Sequence, residues 1–305
     1  MRQRATRLTA IAHAARRMLA SVFDGAAAAY SLRIPAGSTY NGPLLRVRRS
    51  SDNAEADIGA VLTPDANGDR WLDTAALLAF VGAGSGFVTT WYEQRGNALH
   101  ATQTNPALQP RIVNAGVLDT LGGRPSLRWL GVGTFLQTSI SPLGGQDLYL
   151  NHVAAINTGA GISAFSRIIS LGSPGVVSWS TRGHITSTLN KTGPNFGVEN
   201  TDAKYTLGTS TPGTITFGSL FVYTFKATNA VHRGAYNGVI TGPFLPLDPD
   251  TWTFTNIQIG RENADVPNTY LNGFISEVII GTSRTDASLL TLERSQGAAF
   301  GITVA

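Results

Sequence analysis

The side chains most able to do chemistry cluster in residues 87–103, FVTTWYEQRGNALHATQ. A β-branched and aromatic run leads there into Glu93, and His100 follows a few positions later. A carboxylate and an imidazole within hydrogen-bonding distance can transfer a proton, which would give a general acid–base pair. A histidine whose hydrogen bonds only stabilise a loop is the commoner arrangement, so we favour a structural role for His100.

The pattern of this segment is also typical of two strands joined by a tight turn. The Trp91-Tyr92 pair is expected to lie in a strand that helps to close a β-sandwich. Gly96-Asn97 predicts the hairpin turn between the strands, because these residue types tolerate a positive φ. We expect Gln94 and His100 to hold that turn by hydrogen bonds.

Glycan binding is a second kind of chemistry that the sequence could support. Lectin-like sites combine a stacking aromatic ring with a few amide or carboxylate hydrogen bonds, and five residues are candidates: Trp179, Asn200, Tyr236, Trp252 and Tyr270. The five histidines are scattered and show no metal-ligand spacing. We therefore expect no metal site and no cofactor.

Composition indicates which elements must position these residues. Of the 305 residues only 14% are charged, while 34 are glycine, which favours β-sheets with many tight turns. The sequence has no cysteine, so a disulfide framework is excluded. The net charge of +4 comes mainly from arginines near the N-terminus, so we expect no binding of nucleic acid by the remainder.

Residues 1–24 predict an amphipathic α-helix within an N-terminal segment, residues 1–29. Its apolar stripe follows a three-and-four spacing and includes Leu8, Ile11, Ala15 and Leu19. Such a stripe can pack on its own domain, on other copies of the chain or, less favourably, on a membrane surface. We favour self-association as a trimer and attachment to other proteins. Arg16-Arg17 interrupt the apolar core that a signal peptide needs, and we expect neither export nor membrane insertion.

Residues 30–305 predict a single, mainly β domain. Short apolar strands recur between clusters of Gly, Pro, Asn and Asp, which is typical of an antiparallel β-sandwich. Residues 65–69, DANGD, predict a turn in preference to a calcium loop. A short helix is expected at 72–82, capped by Asp73 or Thr74 and ended by Gly82. A second helix near the C-terminus has Ser283 and Asp286 as candidate N-caps.

Several motifs together resemble the catalytic domain of α-L-arabinofuranosidase B. They are PLLRVRRSSDNAEADIG, FVTTWYEQRGNALHATQ, QPRIVNAGV and GGRPSLRWLGVGTFL, and the second departs from the family pattern at Glu93, Arg95 and Ala98. Later segments, including YLNGFISEVII and LERSQGAAFGI, resemble a laminin-G or concanavalin A-like jelly roll. The resemblance implies a jelly roll over residues 30–305. It also makes Glu93 and Arg95 the positions to watch for contact with a neighbour.

The resemblance also implies where catalytic carboxylates would lie. The family's nucleophilic Glu occurs in a motif resembling MEN, and its acid Asp in one resembling GGDN; here VENT offers Glu199 and IGREN offers Glu262. A glutamate in place of the aspartate is one methylene longer and would displace the proton donor. The family also packs its sugar ring on adjacent cysteines, which this chain lacks. We therefore expect no catalysis, and keep these two residues as the alternative.

The function expected from the sequence is that of a structural protein of a phage virion. It would be a fibre, spike or decoration subunit, exposed on the virion surface and assembled in the host cytoplasm. Residues 1–24 would contact other virion proteins, and the jelly roll would bind glycans of the host or the environment. Two alternatives remain: an arabinofuranosidase-type glycoside hydrolase, and a purely architectural capsid or tail protein without a ligand.

Overall fold

β-Branched, aromatic and small residues alternate along most of the chain, and these segments form an antiparallel β-sandwich. A computed structural model describes residues 22–23, 25–145, 147–157, 165–172, 185–190, 196–199, 218–228, 232–244, 252–261 and 270–305. This architecture confirms the mainly β, jelly-roll fold class expected from the sequence. The predicted N-terminal helix, with Leu8, Ile11, Ala15 and Leu19, lies outside the described residues.

The strands of the described residues are numbered in chain order. They are β1 Ala26–Ser31, β2 Arg33–Ile34, β3 Leu45–Arg49, β4 Glu55–Ile58, β5 Arg70–Trp71, β6 Gly86–Trp91, β7 Ala101–Thr102, β8 Arg111–Asn114, β9 Val117–Leu118, β10 Thr120–Leu121, β11 Arg124–Pro125, β12 Leu127–Leu130, β13 Leu136–Gly145, β14 Leu148–Ile156, β15 Phe165–Gly172, β16 Ile185–Asn190, β17 Phe196–Glu199, β18 Phe221–Ala227, β19 His232–Tyr236, β20 Val239–Phe244, β21 Trp252–Ile259 and β22 Asn272–Thr282.

Two layers of strands make up the sandwich. The first, called the helix-side sheet, has the order β20-β19-β18-β14-β22-β1. The second, called the polar sheet, has the order β17-β16-β15-β21-β13-β7-β6-β3-β4. Strand β12 joins the layers by pairing with both β22 and β8.

Strand β14 shows how the sequence forms the two faces of the helix-side sheet. All nine of its residues are buried, since successive side chains point to opposite faces and both faces are covered. Leu148, Leu150 and Ala154 contribute to the core between the sheets. Tyr149 and Val153 instead contribute to the clusters beneath the C-terminal helix.

Two α-helices occur in the described residues. Helix α1, Thr74–Val81, is capped by the Asp73 carboxylate, which accepts from the Ala76 N–H at 2.9 Å, and it ends at Gly82 with φ +65°. This confirms the helix predicted at 72–82. Neither helix in the described part of the chain is long and apolar enough to span a membrane.

Helix α2, Asp286–Phe300, covers the outer face of the helix-side sheet. Its N-cap is Thr285, whose hydroxyl accepts from the Ser288 N–H at 3.2 Å. The prediction of Ser283 or Asp286 as N-cap was therefore wrong, because Asp286 already lies within the first turn. The helix buries Leu289 and Leu292 against the sheet.

The N-terminal boundary of the sandwich also differs from expectation. The alanine run 26–29 was assigned to the N-terminal segment 1–29, but it belongs to β1, which pairs with β22 from Ala26 to Ser31. Small side chains permit this because both faces of β1 are buried, with Ala28 in the inter-sheet core and Ala29 beneath α2.

Candidate functional site

The loop around Glu93, residues 92–100, has a structural role and is called the Glu93 lock. Glu93 is only 1% exposed, and its carboxylate accepts hydrogen bonds from the backbone N–H groups of Ala29, Arg95 and Asn97. These bonds tie the turn after β6 to strand β1. A buried carboxylate that is already saturated by backbone donors is not available as a catalytic base.

The neighbouring side chains have structural contacts, but the prediction of a tight hairpin was wrong. Residues 92–100 join β6 to β7, so Tyr92 lies outside the strand. The Glu93 N–H donates to His100 Nδ1 at 3.1 Å, and the Gln94 side chain donates to the Ser31 carbonyl at 2.8 Å. Trp91 is fully buried in the inter-sheet core. The expectation that Glu93 contacts a neighbouring chain was wrong, because its side chain is enclosed by its own loop; Arg95 is exposed, and its contact stays a prediction.

A second buried polar group, called the helix-side network, lies between the helix-side sheet and α2. The Arg33 guanidinium pairs with Asp69 at 2.7 Å and with Glu277 at 3.1 Å. Gln296 donates to Glu277 at 2.9 Å and exchanges hydrogen bonds with Asn151. Every charge in this network has a partner of opposite sign, so its arrangement indicates a structural role.

The DANGD turn supplies one member of the helix-side network. Asp65 accepts from the N–H groups of Asn67 and Asp69, and Gly68 takes φ +84°. This confirms the predicted turn. The turn presents the Asp69 carboxylate to Arg33, while its other oxygen accepts from the Ala36 N–H at 3.0 Å. No group of three or more potential metal-ligating side chains occurs within the described residues.

The polar sheet carries a continuous row of polar residues, called the polar row. Strand register pairs its members one after another across nine strands: Asp57, Arg46, Thr90, Thr102, Gln137, Gln258, Ser170, Thr186 and Glu199. Residues directly opposite each other share one face of a sheet. At ~4.8 Å per strand the row spans roughly 38 Å.

Burial along the polar row increases sharply between Gln137 and Gln258. Asp57, Thr102 and Gln137 are exposed, whereas Gln258 is 2% exposed and Ser170 is fully buried. Their alternating neighbours Ile257 and Ile259 belong to the inter-sheet core. The row is therefore exposed at its Asp57 end and buried at Gln258 and Ser170.

Gln258 occupies the centre of this enclosed part. Its amide donates to Gln137 Oε1 at 3.3 Å, and its carbonyl oxygen accepts from Arg261 Nε at 2.8 Å. The Arg261 guanidinium lies 3.3 Å above the centroid of the Phe135 ring. This part of the row thus combines two amides with one guanidinium, which suits an oxygen-rich ligand.

The chain leaves β21 at a position that only glycine can occupy. Gly260 has φ +94°, and a Cβ there would overlap the Trp129 indole. The Gly260 N–H donates to the Ile168 carbonyl at 2.9 Å, and its own carbonyl accepts from the Leu271 N–H at 2.8 Å. Residues 261–270 therefore begin and end at one fixed point beside the polar row.

The two candidate carboxylates can be located only by their chain positions. Glu199 ends β17 and pairs with Thr186, so it occupies the terminal position of the polar row, three strands from Gln258. Three strand spacings are about 14 Å. Glu262 lies outside the described residues but directly follows Arg261, which contacts Gln258.

The predicted glycan-binding residues do not come together in the described part of the structure. Tyr236 packs against Phe221 in the helix-side sheet, with ring centroids 5.8 Å apart. Half-buried Tyr270 lies beside Gly133, and Trp252 begins β21 opposite Gly145. Trp179 and Asn200 lie outside the described residues. That set stays a prediction.

His152 is a histidine with a packing role. It is fully buried in β14, and its ring lies between Phe221 and Tyr223 at centroid distances of 5.8 and 5.6 Å. Burial lowers the pKa of His152 to about 3, so the ring is neutral and packs as a hydrophobic group.

Comparison with known families gives a match over about a third of this chain. A family model described as "Alpha-L-arabinofuranosidase B, catalytic" matches residues 19–122. The match contains the Glu93 lock and the exposed end of the polar row, but it ends before Glu199 and Glu262. No curated protein sequence matches the chain.

Solved structures extend the similarity over most of the chain. A GH54 α-L-arabinofuranosidase soaked with a cyclic sulfate inhibitor matches 90% of this chain with a TM-score of 0.64 and 16% identity. An arabinofuranosidase complexed with arabinofuranosyl-α-1,2-xylobiose matches 90% with a TM-score of 0.65 and 17% identity. This chain covers 63% and 62% of those chains, about three fifths of their length. At such identities the likeness establishes the fold.

These comparisons overturn the expected function. The prediction of a non-enzymatic structural protein of a phage virion was wrong, because the family model and the GH54 structures correspond to an arabinofuranosidase-like catalytic domain. One altered carboxylate and the absence of cysteine do not exclude this fold from the enzyme class. The expected trimer, the contacts through residues 1–24, the glycan partners and the virion location have no observation that tests them and stay predictions.

Sequence reasoning also missed the polar row. Its inner members lie in ordinary strands, SRIISLG and NIQIG, where a polar residue alternates with apolar ones. That alternation marks Ser170, Asn256 and Gln258 as one face of a sheet. The signal was present, but only the register of separate strands places Gln258 in line with Glu199.

Proposed function

We propose that this chain is a glycoside hydrolase that cleaves α-L-arabinofuranosides, with Glu199 as nucleophile and Glu262 as acid/base. The observation that carries the proposal is the polar row. Glu199 occupies one end of it, and Gln258 contacts Arg261, which directly precedes Glu262 in the chain. The arabinofuranosidase-like fold supports the same assignment.

Two carboxyl groups suffice for the chemistry of a retaining glycosidase. In the first step Glu199 would attack the anomeric carbon while the protonated Glu262 gives its proton to the departing glycosidic oxygen. In the second step Glu262 would remove a proton from water, which attacks the anomeric carbon and releases Glu199. Retention requires the two carboxyl groups to come within about 5–5.5 Å of each other.

Gln258 and the backbone of Gly260 would support this reaction by positioning the sugar and the Glu262 segment. Gln258, fixed by Gln137 and Arg261, can hold hydroxyl groups of the sugar in one orientation. The backbone of Gly260, bonded to Ile168 and Leu271, fixes the point from which the Glu262 segment starts. A fixed starting point matters because a displacement of about 1 Å can cost a positioned catalyst two orders of magnitude in rate.

The decisive experiment is hydrolysis of 4-nitrophenyl α-L-arabinofuranoside by the whole chain. We expect turnover by the wild type and a loss of at least about a thousandfold in kcat for Glu199→Gln. Glu199→Ala should regain product formation when azide is added, because a small anion can replace the missing nucleophile.

A matched control is Glu55→Gln, which changes an exposed glutamate in β4 and should leave kcat unchanged. Wild-type chain that turns over no member of a panel of aryl furanosides would contradict the proposed activity. Turnover that survives in Glu199→Gln would instead contradict only the assignment of the nucleophile.

A further inference from the structure

A small cavity lies on the opposite side of the sandwich from the polar row. It forms where the first two turns of α2 cross strands β18, β19 and β20 of the helix-side sheet. Its volume is about 20 Å³ and it opens to solvent on one side, so its inner end has room for one oxygen-sized group. Beside its opening the edge strand β20 exposes Ile240, at 50%.

The inner end of this cavity, called the helix cavity, holds an incompletely paired carboxyl group. Glu293 is 1% exposed and lines the cavity, and its Oε2 atom has no hydrogen-bond partner. Its side chain is hydrogen-bonded by Thr224 and by the Gly238 backbone. Thr224 in turn accepts from Asn151 Nδ2 at 2.9 Å, so the threonine proton is committed to Glu293. The unpaired oxygen is therefore held in place and ready to accept one hydrogen bond.

The opening of the helix cavity carries charges of both signs. Asp286 pairs with Lys226 at 3.0 Å and also with Arg233. Two cations share one carboxylate there, which leaves one net positive charge. The walls between opening and floor are aliphatic, with Leu289, Leu290 and Ala235 among them.

These features select one chemical group as occupant. An ammonium group would meet net positive charge at the opening, and a carboxylate or phosphate would meet Glu293 at the floor. A methyl group would leave the Glu293 oxygen unpaired, which is costly for a buried acceptor. A hydroxyl on a short aliphatic stem can donate to Oε2 while its carbon packs against the leucines.

We propose that the helix cavity is a second carbohydrate site, which binds the hydroxymethyl group of a sugar or polyol through a hydrogen bond to Glu293. Only the hydroxymethyl group enters, and the rest of the ligand lies outside over Ile240. Burial raises the pKa of Glu293 to about 7, as expected for a carboxyl group with too few partners. This site does not depend on the proposed hydrolysis, because it lies on the other sheet and needs no reaction.

The test is a titration of the whole chain labelled with ¹³C in isoleucine and leucine methyl groups. Xylitol and 1,4-anhydro-L-arabinitol represent the polyol and the furanose ring, and neither has a bond that a glycosidase cleaves. We expect saturable shifts of the Ile240, Leu289 and Leu290 methyl signals. The 5-deoxy analogue of 1,4-anhydro-L-arabinitol should bind at least about fivefold more weakly, because it lacks the donated hydroxyl.

Two variants check the assignment. Glu293→Leu removes the acceptor and should abolish the shifts, and Leu290→Phe should block the cavity while leaving Glu293 intact. Hydrolysis of the aryl furanoside should be unchanged in Leu290→Phe, which separates this site from the catalytic proposal. Equal binding of the 5-deoxy analogue, or shifts that persist in both variants, would overturn the proposal. An absence of saturable shifts with every ligand would show that the cavity holds water only.

Discussion

The polar groups on the two sheets of the sandwich differ in how far they are enclosed by the protein. On the helix-side sheet, buried Arg33 contacts the carboxylates of Asp69 and Glu277 at 2.7 and 3.1 Å. On the polar sheet, the row runs from exposed Asp57 to buried Gln258 and Ser170. The side chains of the helix-side network form their hydrogen bonds inside the protein, whereas one end of the polar row is exposed to solvent.

This difference separates a structural role from a functional one. A buried ion pair is tolerated when its partners are complete, and breaking it leaves an uncompensated charge. Such a group can stabilise the packing of α2 but cannot bind a substrate. A row that is open at one end can exchange water for the hydroxyl groups of a sugar, so the polar sheet is the better candidate for the active face.

Arg33→Met should have the largest effect, because it leaves Asp69 and Glu277 buried without their cation. We expect a loss of about 3–5 kcal/mol in the free energy of unfolding, measured by chemical denaturation. Hydrolytic kcat per folded molecule should change little. A loss below about 1 kcal/mol would show that the helix-side network is not what holds α2 to the sheet.

Glu293→Gln should change how stability depends on pH. Because burial raises the folded-state pKa of Glu293 from 4.5 to about 7, the folded chain holds this proton more tightly than the unfolded chain. The stabilisation that protonated Glu293 gives the folded chain is complete below pH 4.5 and is lost as pH rises through about 7. This loss amounts to about 3 kcal/mol in the free energy of unfolding. We therefore expect the variant to gain stability over the wild type at pH 8 but not at pH 4. A difference that does not vary with pH would contradict this assignment.

Gln258→Leu should reduce activity more than stability. The change removes the amide that Gln137 and Arg261 fix in the polar row, and we expect about a tenfold loss in kcat/KM, or about 1.4 kcal/mol. Thermal unfolding should shift only slightly, since leucine has a similar volume. Equal losses in Gln258→Leu and in the exposed Gln137→Leu would indicate that burial along the row has no functional meaning.

Arg46→Met should have the smallest effect. Arg46 pairs with Glu55 and Asp57 at the exposed end of the row, where its side chain is 42% exposed. Exposed ion pairs contribute little, so unfolding should change by less than about 0.5 kcal/mol. Set beside Arg33→Met, this variant tests whether the contrast between the two sheets comes from burial and not from residue type.

Local patterns predicted a large part of the fold. Alternation of apolar residues indicated the sandwich, Asp73 and Gly82 bounded α1, and DANGD formed the expected turn. Each of these depends on contacts within a few residues, which sequence spacing encodes. The N-cap of α2 and the alanine strand β1 were missed, because several neighbouring residues can cap a helix and a run of alanines has no β signal of its own.

The sequence by itself determined the layers, the turns and the chemical types available for a site. Only the tertiary structure decided which polar residues meet, because cross-strand register joins positions that are far apart in the chain. Arg33 reaches Glu277 across 244 residues, and Gln258 stands in line with Glu199 only through the pairings of β15 and β16. The same kinds of residue thus form an enclosed structural contact on one sheet and a row that is exposed at one end on the other.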